Sequence, residues 1–367
     1  MGRGIGQRRK MLEHEMVIRD IAKRHGVKIK AVRPKKSTKY GPYIDVHMEL
    51  RDVWEFPRVL NFMRELRTYF EEKAEHGAVN LAIGDEKEKY LLHFPLNYKK
   101  SDTKRLPKIK GVTLHHGPPK ELYGKYALAA ALLNENHHIF DDVGVMIEKN
   151  GENGVEEKRT LTDFDLLGIN VLDNQITFRI GEVLTSNHRR IEHKARVWAE
   201  FFNFLKSKGF IVDVKPLILA VGLPNEMKWI QKDIDTHMKK NRFVFYGKKF
   251  LTTTKYNLWQ TVVKNARHLP EDIQEEFIRN ANRAIERDDI NALYAYATLA
   301  ETLPKAKKAL NRGFKSKDAD KIKQEILNFD RYIGEHGPER AAAKLFENIA
   351  RYLPPSGRNH LKKRLGI

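Results

Sequence analysis

Two kinds of hydrophobic rhythm divide this chain, and the point where one gives way to the other limits the folds open to it. Between residues 27 and 258, short runs with the two-residue alternation of β-strands are interleaved with stretches of helical spacing. Beyond about Trp259 only the helical spacing continues, broken at Pro270, Pro304, Gly313, Gly337 and the pair Pro354-Pro355. A chain patterned this way is α/β with a helical carboxy-terminal part. Its 367 residues exceed the usual size of one compact domain, so two or three units are expected.

The first hundred residues read as a small α+β unit. A helix over 11–25 leads into strands at 27–32 and 43–50, then a helix over 52–74 and a second strand pair, VNLAI and KYLLHFPL. The polar, proline-bearing stretch NYKKSDTKRLPKIKG places a boundary near 105. After it come a helix over 119–136, three strands (IFDDVGVMIE, RTLTDFDLLGINV and NQITFRIGEVLT), a helix over 188–208, the strand VKPLILAVG, a helix over 225–240 and the strand RFVFYGKKFLTTT. The expected domains are therefore 1–105, 106–258 and 259–367, the middle one in the order αβββαβαβ.

Charge gives the first indication of a partner. There are 68 Lys and Arg against 48 Asp and Glu, a net +20, and the excess is clustered: residues 1–40 hold thirteen basic residues and three acids, and 351–367 hold five basic residues and no acid. Such an excess attracts polyanions, with nucleic acid the leading partner through phosphate neutralisation and counterion release. Arg33, Lys35, Lys36 and Lys39, in the loop region of the first strand pair, are candidates to lie on phosphates. A merely solubilising surface is the plainer alternative.

Several classes of chemistry drop out. No cysteine occurs, so thiol nucleophiles and cysteine-ligated metals are excluded. No apolar run approaches the roughly 20 residues of a membrane span, and the basic start lacks the apolar core of a signal peptide. The chain is expected to be cytoplasmic, with no membrane partner. Neither a GxSxG elbow nor a phosphate-binding GxxxxGK[ST] loop is present, so no nucleotide cofactor is expected. The pairs His115-His116 and His137-His138 lack the spacing of a zinc site.

What remains is a set of acids at strand ends. Asp163 and Asp165, two apart, share a face of one strand, and Asp165 opens the apolar run LLGI. Glu182 follows the alternating run ITFRIG on the next strand and precedes the turn into a helix. Carboxylates brought together at neighbouring strand ends repel, and a divalent cation relieves the repulsion; oxygen ligation suits Mg²⁺ or Mn²⁺. Phosphodiester hydrolysis uses such an ion to acidify water and steady the leaving oxygen.

On this order and placement, residues 118–222 resemble the PD-(D/E)XK, or restriction-endonuclease-like, superfamily, whose core is αβββαβ around a central mixed sheet. The resemblance implies Asp165 and Glu182 as metal ligands, and a glutamate from the first helix, Glu121 first and Glu135 second. The triplet Glu182-Val183-Leu184 departs from the pattern, with leucine where the family's lysine stands. Some superfamily members carry that cation on the following helix, where Lys194 is the candidate, with Arg190 behind it and Arg189 beside it on the nucleic acid. A snorkelling surface lysine is the structural alternative for Lys194. The implied activity is a metal-dependent DNA endonuclease whose basic amino-terminal domain grips double-stranded DNA, with a homodimer as the family's usual route to paired cuts. The alternatives are a non-catalytic nucleic-acid-binding protein with a degenerate nuclease fold, or a nuclease acting on RNA or on branched intermediates.

Overall fold

The structure is a computed structural model that describes residues 2–37, 41–97, 114, 119–133, 136–150, 156–173, 175–186 and 188–367. These fall into two compact units, one within 1–103, 109–220 and 225–250, the other within 221–224 and 251–367. The protein is α/β, built on one mixed sheet with helices.

In the first unit the order is α1 (Gly2–Arg24), β1 (Ile29–Ser37), β2 (Gly41–Leu50), α2 (Phe56–Glu72), β3 (Gly77–Gly84), β4 (Glu88–Asn97), α3 (Pro119–Leu133), β5 (His138–Asn150), β6 (Glu156–Leu172) and β7 (Gln175–Leu184). Then follow α4 (Arg190–Ser207), β8 (Ile211–Gly222), α5 (Met227–Lys240) and β9 (Gly247–Thr252). All nine strands join one sheet, in the order of the sequence. From β1 to β8, neighbours are antiparallel except β2 with β3 and β7 with β8. A parallel step needs a crossover rather than a tight turn, and α2 and α4 supply these two. Both helices bury an aromatic-rich face, Phe62 and Phe70 from α2 and Trp198, Phe201 and Phe202 from α4, in one continuous core with Phe94, Phe164 and Phe178 of the sheet.

The boundary expected near 105 therefore divides no separate cores. β4 pairs with β5 from Glu88↔Lys149 to His93↔Gly144, which carries the first strand set into the second. The reason is readable in β4: Leu91 and Leu92 are adjacent and both buried, so the strand is covered on both faces and needs a neighbour at each edge.

The second unit is helical: α6 (Thr253–Ala266), α7 (Glu271–Glu286), α8 (Ile290–Gly313), α9 (Ala319–Leu327), α10 (Phe329–His336), α11 (Pro338–Ala350) and α12 (Pro355–Leu365). Pro304, expected to break a helix, lies inside α8. Proline removes one intrahelical hydrogen bond, but α8 packs against α6, α11 and α12 with Leu303, Ala306 and Leu310 fully buried, and that packing outweighs the local loss. No helix among the described residues is long and apolar enough to cross a membrane.

Candidate active site

The site begins as a fork in the sheet. β6 and β7 pair from Leu172↔Gln175 up to Leu166↔Gly181 and then part, β6 continuing along β5 and β7 along β8 as far as Leu184↔Ala220. At the last rung a side chain on residue 181 would bring its Cβ within 2.9 Å of Leu166 Cβ, so the close approach of the strands requires Gly181. One residue further, the ladder is replaced: Asp165 Oδ2 accepts the Val183 N–H at 2.8 Å, a carboxylate standing where a strand carbonyl would be.

The fork coincides with a change of face. Phe164 and Leu167 are three apart on β6, yet both belong to the same core, as do Phe140 and Val143 on β5. Regular strands send residues three apart to opposite faces, so both strands turn over at this level. On β5 the turn is absorbed at Asp142, whose φ of 58° is unusual for any residue but glycine. Strained backbone of this kind clusters at functional sites.

Into the fork comes Lys194. It lies on the α4 stripe that includes Trp198, Phe201 and Leu205, all buried, and is itself only 3 % exposed. Its Nζ is 2.6 Å from Glu182 Oε1, 3.1 Å from Asp163 Oδ1 and 3.8 Å from Asp165 Oδ1. The structure thus brings together Asp163, Asp165, Glu182 and Lys194 around one nitrogen. Three acids against one ammonium leave a formal excess of two negative charges. Burial alone would lower the Lys194 ammonium, but the fields of Glu182, Asp165 and Asp163 outweigh it and hold it above its ordinary range. Burial pushes the Glu182 carboxyl up to about 8, aided by Asp165 and opposed by Lys194. With three acids beside it, Lys194 stays protonated whichever carboxyl takes a proton. Asp163, at the exposed rim, is opposed by burial yet held below its ordinary value by Lys194.

Glu121, in the first turn of α3, is half-buried, and burial followed by the field of Asp165 raises its carboxyl. The cations acting on it are Lys125, Arg190 and Lys194, which places it in the electrostatic reach of the fork. Glu135 lies outside the described residues.

Three neighbours were missed in the sequence. Lys125 is 2 % exposed on α3, with Nζ 2.9 Å from Asp141 Oδ1 of β5, and its ammonium is raised despite burial by Asp141, Asp165 and Asp142. A lysine immediately before the apolar run YALAAALL and the adjacent acids Asp141-Asp142 inside a strand were the signals.

Of the residues expected on nucleic acid, Arg33, Lys36, Arg189 and Arg190 are exposed, the last two where β7 leads into α4. Lys35 is committed to an ion pair with the buried Asp45 at 2.5 Å. Lys39, His115 and His116 lie outside the described residues, and His137 is buried at the level of Gly168.

Among the described residues, no three Asp, Glu or His side chains form a ready-made cation cage; what the three fork acids share is the Lys194 ammonium. The fork nevertheless fits a hard divalent ion. Its donors are carboxylate oxygens in negative excess, and Glu182 Oε2 is buried with no hydrogen-bond partner. No known protein family, curated protein or solved structure matches this chain.

Proposed function

We propose that this protein is a metal-dependent DNA endonuclease of the PD-(D/E)XK type, with the fork between β6 and β7 as its active site. The observation that carries the reading is the meeting of Asp165, Glu182 and Lys194 from two strands and the following helix. The order α3, three antiparallel strands, α4 and a strand parallel to β7 supports it, as does the net charge of +20. Asp165 and Glu182 would hold Mg²⁺ or Mn²⁺, with Asp163 at the rim. An ion bound there supplies an acidified water and neutralises charge on the phosphate.

The chain's own groups do the rest. Lys194 reaches the fork from α4 and provides the cation that Leu184 cannot, beside the same carboxylates. Asp165 is fixed by the Val183 N–H, so one oxygen is oriented before any ligand arrives. Glu121 adds an acid from the α3 side. Arg190, whose field reaches Glu121 and Asp163, and the exposed Arg189 next to it would steer the phosphate backbone toward the fork. The test is nicking of supercoiled plasmid with Mg²⁺ or Mn²⁺. Activity is expected in the parent protein and absent in Asp165→Ala; cutting by Asp165→Ala at the parent rate removes the proposal.

One observation favours a second reading, a binding protein with a silent nuclease fold: the Lys194 ammonium already takes Glu182, Asp163 and Asp165 in ion pairs. That reading predicts salt-sensitive DNA binding with no cutting under any divalent ion.

A further inference from the structure

The helical unit distributes its cations in two ways. On α7, α9 and α11 several are neutralised locally: Arg279 by Glu275 and Glu276, Lys323 by Asp272 at 2.6 Å, and Lys344 by Glu347 at 2.7 Å. On α8 and α12 they are not. Lys305, Lys308 and Arg312 are exposed and spaced i, i+3, i+7, which sets them on one stripe of α8. Lys363 and Arg364 are exposed on α12, three and four residues beyond His360. Among the described residues none of these five makes an ion pair.

The two stripes are held side by side. α12 packs on α8 through Gly357, where a Cβ would stand 3.6 Å from the Ala309 carbonyl oxygen, and through the fully buried Leu361. Between the stripes sits His360, whose imidazole is kept below its ordinary 6.5 by partial desolvation and then by Lys308, Arg364, Arg312 and Lys363. The four charged groups that act on it most strongly are all cations. Concentrating like charge on a rigid two-helix platform costs repulsion that local acids relieve elsewhere in the same unit, so the platform is suited to an anionic ligand.

We propose that the α8–α12 seam is a phosphate-backbone binding surface for nucleic acid, separate from the fork. The alternative polyanion, an anionic membrane surface, fits less well. Interfacial helices carry large apolar side chains beside their cations, and none of the exposed large apolar residues lies on α12 or on α8 beyond Tyr294.

The experiment uses the full chain in EDTA, so that no cutting is involved and the nuclease proposal stands or falls apart from it. Binding of a fluorescent DNA duplex is followed by anisotropy against salt concentration. The combined variant Lys308→Gln, Arg312→Gln, Lys363→Gln, Arg364→Gln is expected to bind roughly 10–100-fold more weakly at moderate salt. The slope of log K against log salt should flatten by about three to four. The control Arg279→Gln, Lys323→Gln, Lys344→Gln should keep the parent slope. Should the combined variant unfold, the single charge reversal Arg312→Glu is measured, with a loss of about tenfold expected. A parent-like slope in the seam variants overturns the proposal. So does an equal loss in the control set, or capture by phosphatidylserine vesicles that the seam variants abolish while DNA binding is untouched.

Discussion

Two buried carboxylate clusters lie in the same sheet, and they are finished differently. On β1–β4, Asp45 is wholly buried and each of its oxygens is used: Oδ1 accepts from Asn80 Nδ2, and Oδ2 meets His47 Nε2 at 2.9 Å and Lys35 Nζ at 2.5 Å. His93 Nδ1 completes the chain by donating to Asn80 Oδ1 at 2.9 Å. One acid here has two cationic or potentially cationic partners. In the fork, three acids share one lysine and Glu182 Oε2 has no partner. Burial alone does not distinguish a structural acid from a functional one; the balance of charge and the count of satisfied atoms do.

The widest separation between the clusters is expected in catalysis. Glu182→Gln should lower plasmid nicking by about a thousandfold, as loss of several kcal/mol of metal-assisted stabilisation implies. Asp45→Asn should cut at the parent rate per folded molecule. Gel assays on both, normalised by circular dichroism, check this, and equal losses would erase the distinction.

Stability should separate them next. Lys194→Met leaves three acids facing one another without their cation, and about 3–5 kcal/mol of stability in EDTA should go with it. Mn²⁺ should then raise its Tm by more than it raises that of the parent. Calorimetry with and without the ion decides; a Tm insensitive to Mn²⁺ in both proteins counts against cation binding. For Asp45→Ala the expected loss is about 2–3 kcal/mol, since Asn80 is left buried without its acceptor while Lys35 can turn to solvent. Mn²⁺ should restore none of it.

The smallest effect concerns pH. Burial lowers the His93 imidazole below its ordinary 6.5. Asp45 is held below 3.8 by hydrogen bonds from His47 and Lys35 that override its burial. For both groups the unfolded chain binds more protons, so stability is complete above the unfolded value and declines as pH falls below it. Between pH 7 and 5.5 the His93 contribution therefore falls, while the raised Glu182 carboxyl contributes with the opposite sign. The Tm of His93→Gln should fall less, or rise more, than the parent's as pH drops across this interval; an identical pH dependence in the two proteins would exclude a His93 contribution.

The fork was largely legible in the sequence because its acids stand where alternation stops: Asp165 before LLGI and Glu182 after ITFRIG. The α4 spacing likewise put Lys194 on the stripe of Trp198. The Asp45 cluster was not legible. Its members come from four strands, and the register that aligns His47 with Asn80 and Asn80 with His93 depends on a parallel crossover whose pairing no local pattern encodes. The single sheet was missed for a related reason. β4–β5 pairing spans the polar stretch around residue 105, and a polar stretch reads as a boundary whether or not the flanking strands are partners. Asp142 escaped notice because a positive φ at a non-glycine position has no sequence signature.

A crystal soaked with Mn²⁺ tests the fork most directly, because anomalous scattering locates the ion without reference to activity. The account predicts a peak about 2.1 Å from oxygens of Asp165 and Glu182, with the Lys194 ammonium drawn back from between them. A fork without a peak at saturating Mn²⁺, with Lys194 still bridging the three carboxylates, would contradict it.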